Sequence, residues 1–148
     1  MSGKAVTSKE PVAVVGVGQT KHVAARGDVS IAGLVREAAV RALEDAELTW
    51  ADIDAVVIGK APDFFEGVMM PELYLADALG AVGNPMLRVH TAGSVGGSTA
   101  LVAANLVAAR VHRTVLTLAF EKQSESNALW GLSRTVPIPQ PLRARAAG

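Results

Sequence analysis

Strand-length runs alternate with stretches of helical periodicity along this chain, and that alternation limits the fold more than any single motif does. Val12 to Val17, Ala55 to Ile58, Met86 to Thr91 and Thr114 to Phe120 each read as a short strand. Between the first two, Ser30 stands where a helix N-cap belongs, because its hydroxyl can accept from an otherwise unpaired amide. Ile31, Leu34, Val35, Ala38, Ala42 and Ala46 then recur at helical spacing, with Arg36, Glu37, Arg41, Glu44 and Asp45 on the opposite side. Thr49 and Asp52 form a capped turn into the second strand. Pro71 opens a second helix, running through Leu73, Leu75 and Leu79 to Gly80. A tight turn over Gly93 to Gly97 leads into an alanine-rich helix ending near Arg110. The expected class is α/β, a mostly parallel, mixed sheet covered by helices.

Composition narrows what such a domain can do. The 148 residues suit one domain, and an apolar half with only 4% aromatics suits helices packed closely on a sheet. Lys plus Arg number 14 and Asp plus Glu number 14, so no net field draws in nucleic acid or an anionic membrane. The absence of cysteine excludes disulfides, thiolate zinc sites and a thiol nucleophile. The histidines, His22, His90 and His112, form no cluster, so no metal is expected. Asn105 and Arg110 interrupt the longest apolar stretch, and the start of the chain lacks a leader pattern. A cytoplasmic protein with no membrane span is the expectation. The patterned region is 1–132. Residues 133–148, with Pro137, Pro139 and Pro141 among Arg134, Arg143 and Arg145, show no core element. Residues 60 to 70, with Pro62, Phe64, Phe65 and Met69, read as an apolar loop or small lid.

Three places carry candidate chemistry. Gly16-Val17-Gly18 follows a strand, but a dinucleotide loop needs a third glycine where Lys21 stands, and the helix starts too late. A structural turn is the competing account. In Arg88-Val89-His90-Thr91-Ala92-Gly93-Ser94-Val95-Gly96-Gly97-Ser98-Thr99, strand, glycine turn and helix follow directly. That order puts Ser94 near a helix N-terminus, where free amides favour negative charge and can stabilise an oxyanion. Alternatively, Gly93, Gly96 and Gly97 serve only turning and close packing. A serine-hydrolase elbow fits poorly, since only His112 follows Ser94, and too soon. His90 is a candidate base or ligand contact, although alternation also places it with Arg88 on a solvated face. The third place is Glu121-Lys122-Gln123-Ser124 at a strand's carboxyl end, where ligands approach such sheets. An ordinary solvated exit explains it equally.

The segments VAVVGVGQTK, IAGLVREAAVRALEDAELTWADIDAVVIG and RVHTAGSVGGSTALVAANLVAARVHRTVLTLAFEKQSES together resemble the thiolase superfamily. The likeness is to sterol-carrier-type thiolases and thiolase-like lipid-transfer proteins, over residues 11 to about 132. It implies a duplicated α/β fold, homodimers or a complex with a partner protein, and coenzyme A thioesters as substrate, with no bound cofactor. It also implies acyltransferase or lipid-transfer function in lipid or sterol metabolism. The family's nucleophilic cysteine falls at Ser94, or at Gly93 by a shift of one residue, with His90, Gly93, Gly96 and Gly97 around the substrate. Serine there departs from the family, since a hydroxyl needs an adjacent base where a thiol ionises readily. The later catalytic residues find no matching position, and the tail looks like family sequence lost midway, so an inactive N-terminal fragment is the expectation. The alternatives are a non-catalytic acyl-CoA or lipid-binding module, a partner-dependent subunit, or a retro-aldol lyase acting on sterol side-chain CoA thioesters.

Overall fold

The computed structural model describes residues 11–60 and 70–125. Expectations for residues 1–10, for the loop with Pro62, Phe64, Phe65 and Met69, for Trp130, and for the boundary at 132 and the tail beyond it lie outside those residues.

Ser30 caps the first helix as its chemistry requires. Its Oγ accepts from Gly33 N at 3.1 Å, and α1 runs Ile31–Asp45. The face carrying Val35, Ala39 and Leu43 is buried. Thr49 and Asp52 close a capping box, with Thr49 N and Oγ1 donating to Asp52 Oδ2 at 2.8 and 2.7 Å. The chain then enters β1, Ala55–Gly59, all five residues of which are buried. Pro71 opens α2, Pro71–Leu75, a helix shorter than the periodicity suggests. Turns carry the chain onward to Gly80, which adopts a left-handed φ of 56° beside Trp50. β2 spans Met86–Val89, α3 Val95–Ala108 and β3 Val115–Ala119.

The sheet has three strands in the order β2-β1-β3, and both pairings are parallel. Val56 and Ile58 point into a cluster with Val35, Ala39 and Leu43 of α1 and Leu75 of α2. Leu116 and Leu118 of β3 join the same cluster. The alternate β1 residues face α3, where Gly59 lies against Thr99 and Val95. Helices therefore cover both faces of β1, and its continuous apolar run follows from that. Each fully buried aliphatic side chain there contributes about 1.5–3 kcal/mol of burial.

The expected first strand, Val12 to Val17, is not one. Residues 11–20 carry no strand, and Val14, Val15 and Val17 are 83, 63 and 69% exposed. Their backbone is held by α1 instead of by a neighbouring strand. Gly16 and Gly18 lie so close to Ala38, Ala42 and Ala46 that a β-carbon would overlap the helix. Val17 N donates to Asp45 Oδ2 at 2.8 Å, and Arg41 donates to Gln19 O. The glycine pair serves this close approach, as the structural account of Gly16-Val17-Gly18 requires.

Asp54 ties the start of β1 to the turn before β3, accepting from Arg113 N and Thr114 N at 2.9 Å each. The Thr114 and Arg113 amides hold its carboxyl below the usual 3.8. The stability from this contact is present above the unfolded carboxylate range and is lost as pH falls through the lowered value.

Gly59 is the tightest point of the β1–α3 contact, because a β-carbon would overlap Thr99 Oγ1. Gly59→Ala is expected to cost about 1–3 kcal/mol in urea unfolding, the range for overpacking. Adding Thr99→Ala should return part of that loss; strict additivity of the two would contradict this contact.

Candidate functional site

At the carboxyl end of β2 the chain turns sharply. Thr91 and Ala92 leave the strand conformation, Ala92 with a left-handed φ of 48°, and a 3-10 turn over Ala92–Ser94 delivers Ser94 to the N-cap of α3. A non-glycine residue in that region is uncommon. The first turn of α3 holds Gly96 and Gly97, where helix amides point outward and the dipole favours negative charge.

The hydroxyl of Ser94 is engaged. Oγ donates to Thr91 O at 2.8 Å, and Ser94 N donates to the same carbonyl at 3.2 Å. Thr91 Oγ1 donates to Ser98 Oγ at 2.8 Å, tying the turn to the first turn of α3. No histidine or carboxylate hydrogen-bonds to Ser94 Oγ among the described residues. The first turn of α3 can hold an oxyanion or carbonyl, and among the described residues no base stands against the Ser94 hydroxyl.

The glycines separate two explanations. Apart from chain neighbours and the helix's own backbone, no described atom lies within 4 Å of a β-carbon placed at Gly93 or Gly97, and one at Gly96 meets Ala119 Cβ at 3.9 Å. Close packing within the described residues requires none of them. Small residues here leave the turn uncovered by any described side chain. His90 is exposed one residue past β2. Arg88, also exposed, makes an ion pair with Glu72 at 3.8 Å. The solvated-face account therefore suits both residues.

The third region is more built than the sequence suggested. Lys60 directly follows β1, its side chain 1% exposed, and pairs with Glu121 Oε2 at 3.7 Å beyond β3. Lys122, 5% exposed, donates to Val29 O at 2.8 Å and so joins the exit of β3 to the entry of α1. Arg26 pairs with Asp28 and Glu37 nearby, and hydrogen bonding from Arg26 holds Asp28 below its usual value. Lys60 was missed by the sequence reading. Its signal was a lone lysine at the end of an otherwise apolar strand. Beside this cluster lies a cleft of about 630 Å³ between residues 18–26 and residues 118–124. Among the described residues no three His, Asp or Glu converge as a metal site, and no helix is long and apolar enough to cross a membrane.

Lys60 and Glu121 share a buried attraction, and removing one partner of such a pair typically costs about 3–5 kcal/mol. Lys60→Met should therefore lower the unfolding free energy by more than Lys60→Met with Glu121→Leu does. Equal losses for the single and double variants would show that the pair is not coupled.

No family model matches the chain. It is 31% identical to human sterol carrier protein 2 over 129 residues, 85% of this chain and 23% of that protein. It is 34% identical over 116 residues to an acetyl-CoA acetyltransferase of Methanothermobacter thermautotrophicus, covering 77% of this chain and 30% of that one. The chain thus spans under a third of each relative. In fold it matches 3-oxoacyl-[acyl-carrier-protein] synthase III from Aquifex aeolicus with a TM-score of 0.60 and 20% identity, over 68% of this chain and 32% of that one. In sequence and in fold, the chain is an N-terminal part of the thiolase superfamily.

Proposed function

We propose that this chain supplies an acyl-thioester-binding part of a thiolase-like acyltransferase or lipid-transfer protein, and that by itself it binds its ligand without being acylated. The observation that carries this is the engagement of Ser94. Its hydroxyl donates to Thr91 O, while the first turn of α3 offers free amides, and no described side chain packs against Gly93 or Gly97. A thioester carbonyl placed there gains hydrogen bonds and dipole stabilisation. A serine with its proton committed to a backbone carbonyl, and with no base against it among the described residues, is not activated to attack that carbon. His90, Gly93, Gly96 and Gly97 are the contacts assigned to the thioester end.

Complete chemistry would then depend on groups from elsewhere, either further sequence or a second polypeptide. The edges of the sheet leave room for such a partner. β2 and β3 each pair on one side only among the described residues, and Leu73 and Tyr74 of α2 are 71 and 51% exposed. A homodimer or a hetero-complex would cover these surfaces. A role in lipid or sterol metabolism fits this assignment and the names of the relatives.

Incubation with acetyl-CoA followed by intact mass measurement tests the proposal. The chain should bind saturably, seen in Trp50 fluorescence, and gain no acetyl group. Ser94→Cys should gain one, because a thiol at a helix N-terminus ionises near neutral pH. Acetylation of Ser94 itself would contradict the proposal, and turnover of a β-hydroxyacyl-CoA would favour a retro-aldol lyase instead.

A further inference from the structure

We propose that the cavity at the amino ends of β1 and β3 binds the phosphate group of a small phosphomonoester, a second ligand site at the opposite end of α3 from Ser94. The cavity measures about 500 Å³, within the roughly 300–1,000 Å³ of small-molecule sites. Asp54, which precedes β1, lines one side, and Val107, Val111 and the basic residues Arg110, His112 and Arg113 line the rest. Three basic side chains thus stand within four residues around one space. α3 has 14 residues, about 21 Å of helix, so this cavity and the Ser94 turn are distinct places. The inference is independent of how Ser94 is read.

Basic residues at a helix end often serve to pair its last carbonyls. Here backbone amides already do so. Ala109 N donates to Asn105 O at 2.9 Å, Arg110 N to Val107 O at 2.9 Å and Val111 N to Leu106 O at 3.0 Å. The last two bonds form a Schellman motif, so the side chains of Arg110, His112 and Arg113 are not needed as caps. The carboxylate in the cavity is also engaged, since Asp54 Oδ2 accepts from Arg113 N and Thr114 N. Neither His112 nor Arg113 forms a salt bridge among the described residues. Two guanidinium groups outweigh one carboxylate and the roughly half charge at the carbonyl end of α3. The cavity is therefore net positive before His112 is counted. Guanidinium forks match phosphate oxygens, and a dianion satisfies two of them where a monoanion does not. Val107 and Val111, the latter 58% exposed, give an apolar wall for the carbon part of the ligand.

Phenyl phosphate, phenyl sulfate and inorganic phosphate separate charge from apolar contact at about pH 7.5, above the second phosphate ionisation near 6. Calorimetry and amide shifts in NMR spectra of the full chain read the binding. Phenyl phosphate is expected to bind most tightly and to shift the amides of residues 110 to 114. Arg113→Gln should weaken it about tenfold, the loss of one charged hydrogen bond. Arg110→Gly should weaken it similarly yet raise the melting temperature, because Arg110 holds a left-handed φ of 57° that suits glycine. Val111→Ala should bring phenyl phosphate down towards inorganic phosphate. Equal affinity for phenyl sulfate and phenyl phosphate overturns the dianion assignment. No binding, or binding that Arg113→Gln and Arg110→Gly leave unchanged, overturns the site. Acetyl-CoA affinity should survive in Arg113→Gln; its loss would merge this cavity with the thioester site and overturn their separation.

Discussion

Everything positioned in this chain depends on β1 being buried from both sides. Its five residues have helices above and below and a parallel strand along each edge, so each side chain is committed to a face and each peptide to a neighbour. Val56 and Ile58 fill one face, and Gly59 lets α3 approach the other. Because α3 sits directly on Gly59, the place where that helix begins is set by the strand beneath it. Among the described residues, the Ser94 turn is joined to the rest through β2 and through the first turns of α3.

Two arrangements at the carboxyl ends of the strands follow from this frame, and they differ in how charge is handled. Around Ser94 no charged side chain among the described residues hydrogen-bonds to the hydroxyl, and the available polarity comes from backbone groups and the Thr91–Ser98 hydroxyl pair. Beyond β1 and β3, charge is buried and paired, Lys60 with Glu121 and Lys122 with a carbonyl. Buried pairs add little net stability over apolar packing, yet they penalise any arrangement that separates them. Lys60–Glu121 therefore fixes the relative height of two strand ends.

Much of this was legible in the residues, and the failures have physical causes. Ser30, the period of α1, the Thr49–Asp52 box and the strands at Ala55, Met86 and Val115 were legible because each is a local pattern that the packing reinforces. Val12 to Val17 was misread because a short β-branched run states apolarity without stating a partner. Here α1 takes up the glycines that strand pairing would have left unexplained. The placement of Ser94 at a helix start was legible from the glycine turn, whereas the direction of its hydroxyl was not, since Thr91 O becomes its partner only after the backbone bends at Ala92. Lys60 and Glu121 lie 61 residues apart in sequence (121 minus 60), and nothing local in either segment announces the other.

Amide hydrogen exchange tests the central role of β1 most directly. Residues 55 to 59 should be among the slowest amides in the chain and should exchange only through global unfolding. Residues 11 to 15, which lack strand partners, should exchange quickly. Exchange at β1 as fast as at residues 11 to 15 would show that the strand does not organise the structure, and the placement of α3 and Ser94 would lose its basis.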